Sequence, residues 1–420
     1  MRKVVRVRGR RKAERVSPAS VSKIDPGAGD VAARVALIQA LIPVGLEEVE
    51  RALQEEVERL AGPFYSRGEG RKGRVRWASS PGSVYLGDQK VPILVPRVRD
   101  RKQGAEVPLE TYQALREKPE GDETLYKRIL LGLSCRDYRA CSEAVPEVLG
   151  LSRSSVSRRF VTASDGKLRE FRERRLEEHD FVAMFLDGKR FAEDEMVVAM
   201  GVTLQGEKIF LGFIQTGTEN ETSCGEFLED LLERGLRIEE GLLVVIDGSK
   251  GLRRAILKTF KQKVVVARCQ WHKRENVVSY LPKGEQEEFR KKLQRAYEKK
   301  TYESAKSELR KLVTELRLRN ESAANSLEEG LEETLTLHRL GVFAELGKSL
   351  KTTNCIESIL DQVERRTRKV SRWRNSNHKR RWLAAALLDT EPRLRRIMGC
   401  LHLGKLREAL RQETARERAA

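Results

Sequence analysis

The sequence predicts a multi-domain α/β protein, with a core of strands and helices that carries an all-helical insertion and follows a mainly helical region. Three observations lead there. The chain has 420 residues, more than one ordinary hydrophobic core organises. Between residues 181 and 268, short apolar runs alternate with amphipathic stretches, the signature of strands and helices in one layered unit. On both sides of that block the apolar residues recur at helical spacing.

Composition narrows the partners. Lys+Arg number 82 against 63 Asp+Glu, a formal charge of +19, while 39% of residues are hydrophobic. That is enough apolar material for real cores, and the surplus charge points to a polyanion, above all nucleic acid. No stretch reaches the roughly 18 apolar residues a membrane span needs, and "VAARVALIQALIPVGL" is interrupted by Arg34 and Pro43. The basic start "MRKVVRVRGRRKAERV" has no apolar stretch of the kind a secretory signal requires. Six cysteines lie scattered without a CxxC pair, so a reducing cytoplasmic setting in a prokaryote is expected, with the protein on nucleoid DNA.

In chain order, residues 1–30 read as a basic flexible arm and 31–61 as a helix. "GEGRKG" at 68–73 matches GxGxxG in form, but no apolar strand precedes it and no amphipathic helix follows, so it is a basic loop. "SVYLGDQKVPILVPRVR" alternates about Gly87-Asp88, a hairpin, and its Arg97 and Arg99 suit either phosphate contact or a solvated strand end. Residues 31–110 form a helical and hairpin DNA-binding region. Within 111–178, "DETLYKRILLGLS", "RDYRACSEAVPEVLG" and "SRSSVSRRFVTASDGKLREFRERRL" read as three helices separated by Gly132 and Gly150, the pattern of a helix-turn-helix or of any three-helix packing unit. The last helix opens on Arg153, Ser154, Ser155, Arg158 and Arg159, a set suited to a DNA groove.

Residues 179–282 and 351–400 are the predicted core, 283–350 the insertion and 401–420 a C-terminal helical tail. "FVAMFLDGKRF" and "GLLVVIDGS" are apolar strands ending in Asp187 and Asp247. Open α/β sheets bind ligands at such strand ends. Either acid alone also reads as a turn former before Gly. The order is strand with acid, hairpin, helix, strand with acid, helix, strand, helix with acid, which is that of ribonuclease-H-like folds. The third acid is Glu357, among Ile356, Ile359 and Leu360, with Asp361 and Glu364 as rivals one and two turns on. Three carboxylates at one place repel each other unless cations neutralise them. Mg²⁺ or Mn²⁺, expected as two ions, suits oxygen ligands and phosphodiester chemistry.

The segments "FLDGK", "VIDGSKGL", "ARCQWHKRENV" and "TTNCIESILDQVERRTRK" resemble the catalytic segments of Mutator-type transposases of bacterial insertion sequences. "GDQKVPILVPRVR" and "ILLGLSCRDYRACSEAV…GLSRSSVSRRF" resemble that family's N-terminal DNA-binding part, so the likeness spans about residues 80–400. It implies a DDE transposase with its triad on Asp187, Asp247 and Glu357, and a helical insertion before the Glu helix. Such an enzyme binds the terminal inverted repeats of its element and cleaves and joins DNA strands. The chain departs from the family in having Cys355 where proline is common, and in the residues after the first Asp.

Cys269-x-x-His272 corresponds to a family signature, and two ligands cannot close a four-coordinate zinc site. A place beside the metals, or in positioning DNA, is the reading preferred over plain packing. Trp271 between them reads as half-buried core. Arg365, Arg366, Arg368, Lys369, Arg372 and Arg374 follow Glu357 and suit a phosphate backbone, and Trp373 suits stacking on unpaired bases. Trp382 reads as core. Double-stranded DNA, both element ends and target, is the expected partner, and holding two ends implies a homodimer or larger assembly. Two other readings share these features: an inactive domesticated transposase acting as a DNA-binding regulator, and a ribonuclease-H-fold nuclease or resolvase.

Overall fold

The computed structural model describes residues 31–64, 73–86, 89–117, 123–135, 138, 152–191, 194–216, 221–368, 370 and 372–419. The basic arm 1–30, the Gly87-Asp88 turn, Lys369 and nearly all of the middle helix expected at 136–150 lie outside the described residues. The chain forms two compact units: residues 1–120 with 139–152, and residues 121–138 with 153–420.

In the first unit, helix α1 (Val31–Ala61) is followed by strands β1 (Arg74–Leu86), β2 (Gln89–Asp100) and β3 (Ala105–Val107), and by helix α2 (Glu110–Arg116). The strands form an antiparallel sheet in the order β1-β2-β3. Val49, Leu53 and Val57 recur at helical spacing on α1 and meet Val84, Val95 and Val98 of the sheet. Glu56, 3% exposed, accepts the backbone N–H groups of Glu110 at 2.7 Å and Thr111 at 3.0 Å. Leu109 ahead of α2 offers no side-chain cap, so a carboxylate from another helix fills the role. Glu56→Ala leaves two orphaned donors, at a cost of about 1–3 kcal/mol. Faster hydrogen exchange at the Glu110 and Thr111 amides is the expected result, and unchanged exchange would refute it.

The second unit opens with α3 (Glu123–Leu130) and α4 (Arg153–Glu173). Its sheet comprises β4 (Phe181–Phe191), β5 (Asp194–Thr203), β6 (Lys208–Thr216), β7 (Leu242–Ile246) and β8 (Val264–Arg268). The spatial order is β6-β5-β4-β7-β8. β5 is antiparallel to both β4 and β6, and β7 runs parallel to β4 and β8. Every residue of β7 and β8 is buried, which is why both read as unbroken apolar runs. Helices α5 (Glu221–Glu233) and α6 (Lys250–Phe260) pack on one face, against Met184, Leu186, Val244, Ile246 and Val266.

Helix α7 (Gln270–Ser279) leads from β8 into the insertion: α8 (Lys283–Tyr297), α9 (Tyr302–Arg317), α10 (Glu321–Glu328), the single turns α11 (Leu331–Thr334) and α12 (Thr336–Arg339), and α13 (Phe343–Leu350). It has its own core around Phe289, Leu293, Leu309 and Leu316. The chain returns in α14 (Asn354–Thr367), α15 (Ser376–Thr390) and α16 (Leu403–Ala419). The last helix is packed down: Leu403, Leu406 and Leu410 are buried, and Arg407 donates to the carbonyls of Gly241 at 2.7 Å and Phe181 at 2.8 Å.

Candidate active site

Leu186 of β4 pairs with Ile246 of β7 in parallel register. One residue further along stand Asp187 and Asp247, just past the last parallel pair; Asp247 follows the end of β7, whereas β4 does not end at Asp187 as expected but runs on to Phe191, held by its antiparallel pairing with β5. Asp187 is 6% exposed. Asp247 Oδ1 accepts the Ser249 N–H at 3.0 Å, which shapes the turn into α6. Side chains alternate along a strand. Leu186 faces α5 and α6, so Asp187 and Lys189 face the other side of the sheet.

That side is crossed by α14. Lys189 Nζ lies 2.6 Å from Asp361 Oδ1 and 3.0 Å from Glu364 Oε2. Burial works against the charge on Lys189, and the two carboxylates outweigh it, raising its pKa. The same contact holds Asp361 below its ordinary value. Moving back two residues on β4, about 6.6 Å, reaches Asp187. One turn back on α14, about 6 Å, reaches Glu357. Glu357's two rivals are thus both engaged by Lys189.

The start of α14 is tied to the end of β8. Cys269, fully buried, caps α7 by accepting the His272 N–H on its sulfur at 3.5 Å, and it also accepts the Thr353 N–H at 3.4 Å. Thr353, itself 0% exposed, donates its hydroxyl to Glu357 Oε1 at 2.6 Å. His272 Nδ1 lies 3.3 Å from that hydroxyl and Nε2 lies 3.8 Å from Glu357 Oε1. Burial opposes a charge on His272, but the Cys269 sulfur and then the Glu357 and Asp247 carboxylates raise its pKa to about 9. His272 thus lies beside Glu357, Cys269 is linked to it through Thr353, and Asp247 acts on the same imidazole. Thr353 was missed in the sequence, where a threonine ahead of a helix reads as an ordinary cap.

The chain matches the family model "Transposase, Mutator family" over residues 37–395. It belongs to the Mutator family of transposases. It is 28% identical over 389 residues to the transposase for insertion sequence element ISRM5 of Rhizobium meliloti (strain 1021), covering 88% of this chain and 94% of that one. It is likewise 28% identical to the transposase for insertion sequence element IS256 in transposon Tn4001 of Staphylococcus aureus, over 70% of this chain and 75% of the relative. The transposase for insertion sequence element IS905 of Lactococcus lactis subsp. lactis (strain IL1403) shares 27% identity, over 64% of this chain and 68% of that one.

The cations of this transposase divide. Arg365, Arg368, Arg372 and Arg374 are exposed. Arg366 is largely buried and pairs with Asp389 at 3.0 Å, joining α14 to α15. Trp373 is half-buried, its ring 5.2 Å from His378. With Lys189 and Arg368 it lines a cavity of about 210 Å³. Trp382 is buried against Phe160, with ring centroids 4.9 Å apart. Trp271 is 39% exposed and meets His272 edge-on, so it is a surface residue and not half-buried core.

On α4, Arg153, Ser154 and Arg158 are exposed, and Ser155 and Arg159 half-exposed. The helix is fixed by its other face, where Val156, Phe160, Ser164, Leu168 and Phe171 are buried and Ser164 accepts from Arg381 at 2.8 Å. Among the described residues, no helix is long and apolar enough to cross a membrane.

Proposed function

We propose that this transposase binds the terminal inverted repeats of an insertion sequence and performs metal-dependent strand cleavage and strand transfer, with Asp187, Asp247 and Glu357 as its catalytic acids. The observation that supports the reading is that Asp187 and Asp247 each stand one residue beyond the paired Leu186–Ile246, with the His272 imidazole acted on by both Asp247 and Glu357. The strand order β6-β5-β4-β7-β8, with acids on β4, just after β7 and on a late helix, supports a ribonuclease-H-like core. The α4 end carrying Arg153 and Arg158 supports a helix-turn-helix reader of duplex DNA. Holding two element ends calls for at least two copies of the chain, acting on DNA in the cytoplasm.

The donor set fits Mg²⁺ or Mn²⁺, being carboxylate oxygen throughout. Among the described residues, no three His, Cys, Asp or Glu side chains are grouped closely enough to hold an ion between them. Glu357 is hydrogen-bonded to Thr353 and Asp247 to the Ser249 backbone. When bound, the divalent ions supply an activated oxygen nucleophile and stabilise the leaving oxygen. The protein's own residues do the rest. Asp187 and Asp247 anchor one wall on the rigid sheet. Lys189, gripping Asp361 and Glu364, holds α14 against β4 so that Glu357 forms the facing wall. His272 and Thr353 orient the Glu357 carboxylate. Arg365, Arg368, Arg372 and Arg374 place positive charge where phosphates pass, and Trp373 offers a stacking face.

The test uses the purified protein and a labelled duplex bearing the inverted repeat that flanks its gene. A nick at the element's 3′ end that needs Mg²⁺ and disappears with chelator is expected. Binding without any metal-dependent cut on repeat-bearing duplexes would reduce the protein to a DNA-binding regulator.

A further inference from the structure

Arg268 closes β8, paired in register with Ile246, the residue before Asp247. Its side chain is 4% exposed, and it reaches two parts of the molecule at once. One terminal nitrogen donates to the carbonyl of Gly248 at 2.9 Å, in the turn that carries Asp247. The other donates to the carbonyl of Glu329 at 3.0 Å, where α10 ends in the insertion. Two glycines make room for it. Gly248 (φ +119°) and Gly330 (φ +67°) both adopt backbone open to few side chains, and a Cβ would stand 2.8 Å from Nε at the first and 2.6 Å from a terminal nitrogen at the second.

The anchorage around this residue is ionic. Glu333 Oε2 lies 3.7 Å from Arg268 Nε, and neither atom has a hydrogen-bond partner among the described residues. Arg253 of α6 pairs with the same glutamate, and Lys250 pairs with Glu329 at 3.2 Å. A buried guanidinium without these partners is strongly unfavourable, so its two carbonyl contacts form or break together with the docking of the 329–333 segment.

We propose that Arg268 is a positioning residue: it fixes the Gly248 turn that orients Asp247 and locks that turn to the helical insertion, so that a docked insertion and a correctly placed acid are one state. This rests on the catalytic reading of Asp247. Lysine carries the charge but has no fork with which to hold two carbonyls. A misplacement near 1 Å at a reacting centre can lower a rate by about 100-fold.

The experiment has three arms on the full chain. Arg268→Lys should bind the element end within about two-fold of wild type and cleave it about 100-fold more slowly, with faster hydrogen exchange at residues 248–250 and 329–331 alike. Gly330→Ala keeps every charge and should reproduce that pattern by crowding the guanidinium, and it decides the matter if Arg268→Lys fails to fold. In the wild type, whatever the variants do, amides of the two segments should exchange with a shared opening free energy. Wild-type cleavage by a folded Arg268→Lys or Gly330→Ala, or independent exchange of the two segments in the wild type, would overturn the proposal. Wild-type protein that cuts no end at all, with Asp247→Asn as the inactive control, would instead sink the catalytic reading and leave the exchange result standing.

Discussion

Asp187→Asn and Asp247→Asn should each lower strand cleavage at the element end by about 10³-fold or more if, as proposed, each carboxylate would hold a divalent cation there. Folding and end binding should persist. Asparagine keeps the shape, and relieving like charges at adjacent strand ends removes no packing contact. Mn²⁺ should restore part of the activity lost in Mg²⁺, being less strict about geometry. The comparison is single-turnover cleavage beside a binding titration on the same preparations. Loss of binding in parallel with cleavage would mean that these acids support the fold and not the chemistry.

The second large effect is on affinity. A chain of net charge +19, with the proposed phosphate contacts of its basic arm, α4 and the arginines after Glu357, should bind duplex DNA with steep salt dependence. With about six to ten phosphates neutralised, affinity falls roughly 10³–10⁵-fold between about 50 and 200 mM salt. Deleting residues 1–16 should flatten the slope and leave sequence preference in place. Replacing Arg153 and Arg158 by Ala should weaken binding to element ends more than to random duplex, as expected of side chains that read base edges. Equal loss on both duplexes would make them phosphate contacts. A nearly flat plot of log K against log salt would contradict the electrostatic account.

The strands were legible because parallel strands buried on both faces read as unbroken apolar runs: β7 (Leu242–Ile246) lies inside "GLLVVIDGS", and β8 (Val264–Arg268) inside "KVVVARC". The hairpin of β1 and β2 was legible from its alternation, and helix α1 over 31–61 from its spacing. What escaped were the long-range polar ties. Nothing local distinguishes Arg366, held by Asp389, from exposed Arg365. Nothing in the sequence singles out Arg268, and the return of residues 329–333 is what ties its guanidinium to the insertion. Nothing local marks Lys189 as the partner of the two acids that rivalled Glu357. Trp271 was misread because its aromatic size outweighed its place on the outer face of α7.

Glu357 and its neighbour Asp361 compete for the place of the third acid, and one measurement separates them. Glu357→Gln and Asp361→Asn differ by a single helical turn, and each replaces one carboxylate with an amide of like shape. In cleavage of the labelled end duplex with Mg²⁺, Glu357→Gln should be inactive, while Asp361→Asn, which loses only part of a contact with Lys189 that Glu364 still makes, should keep most activity. Normal cleavage by Glu357→Gln together with a dead Asp361→Asn would contradict the assignment.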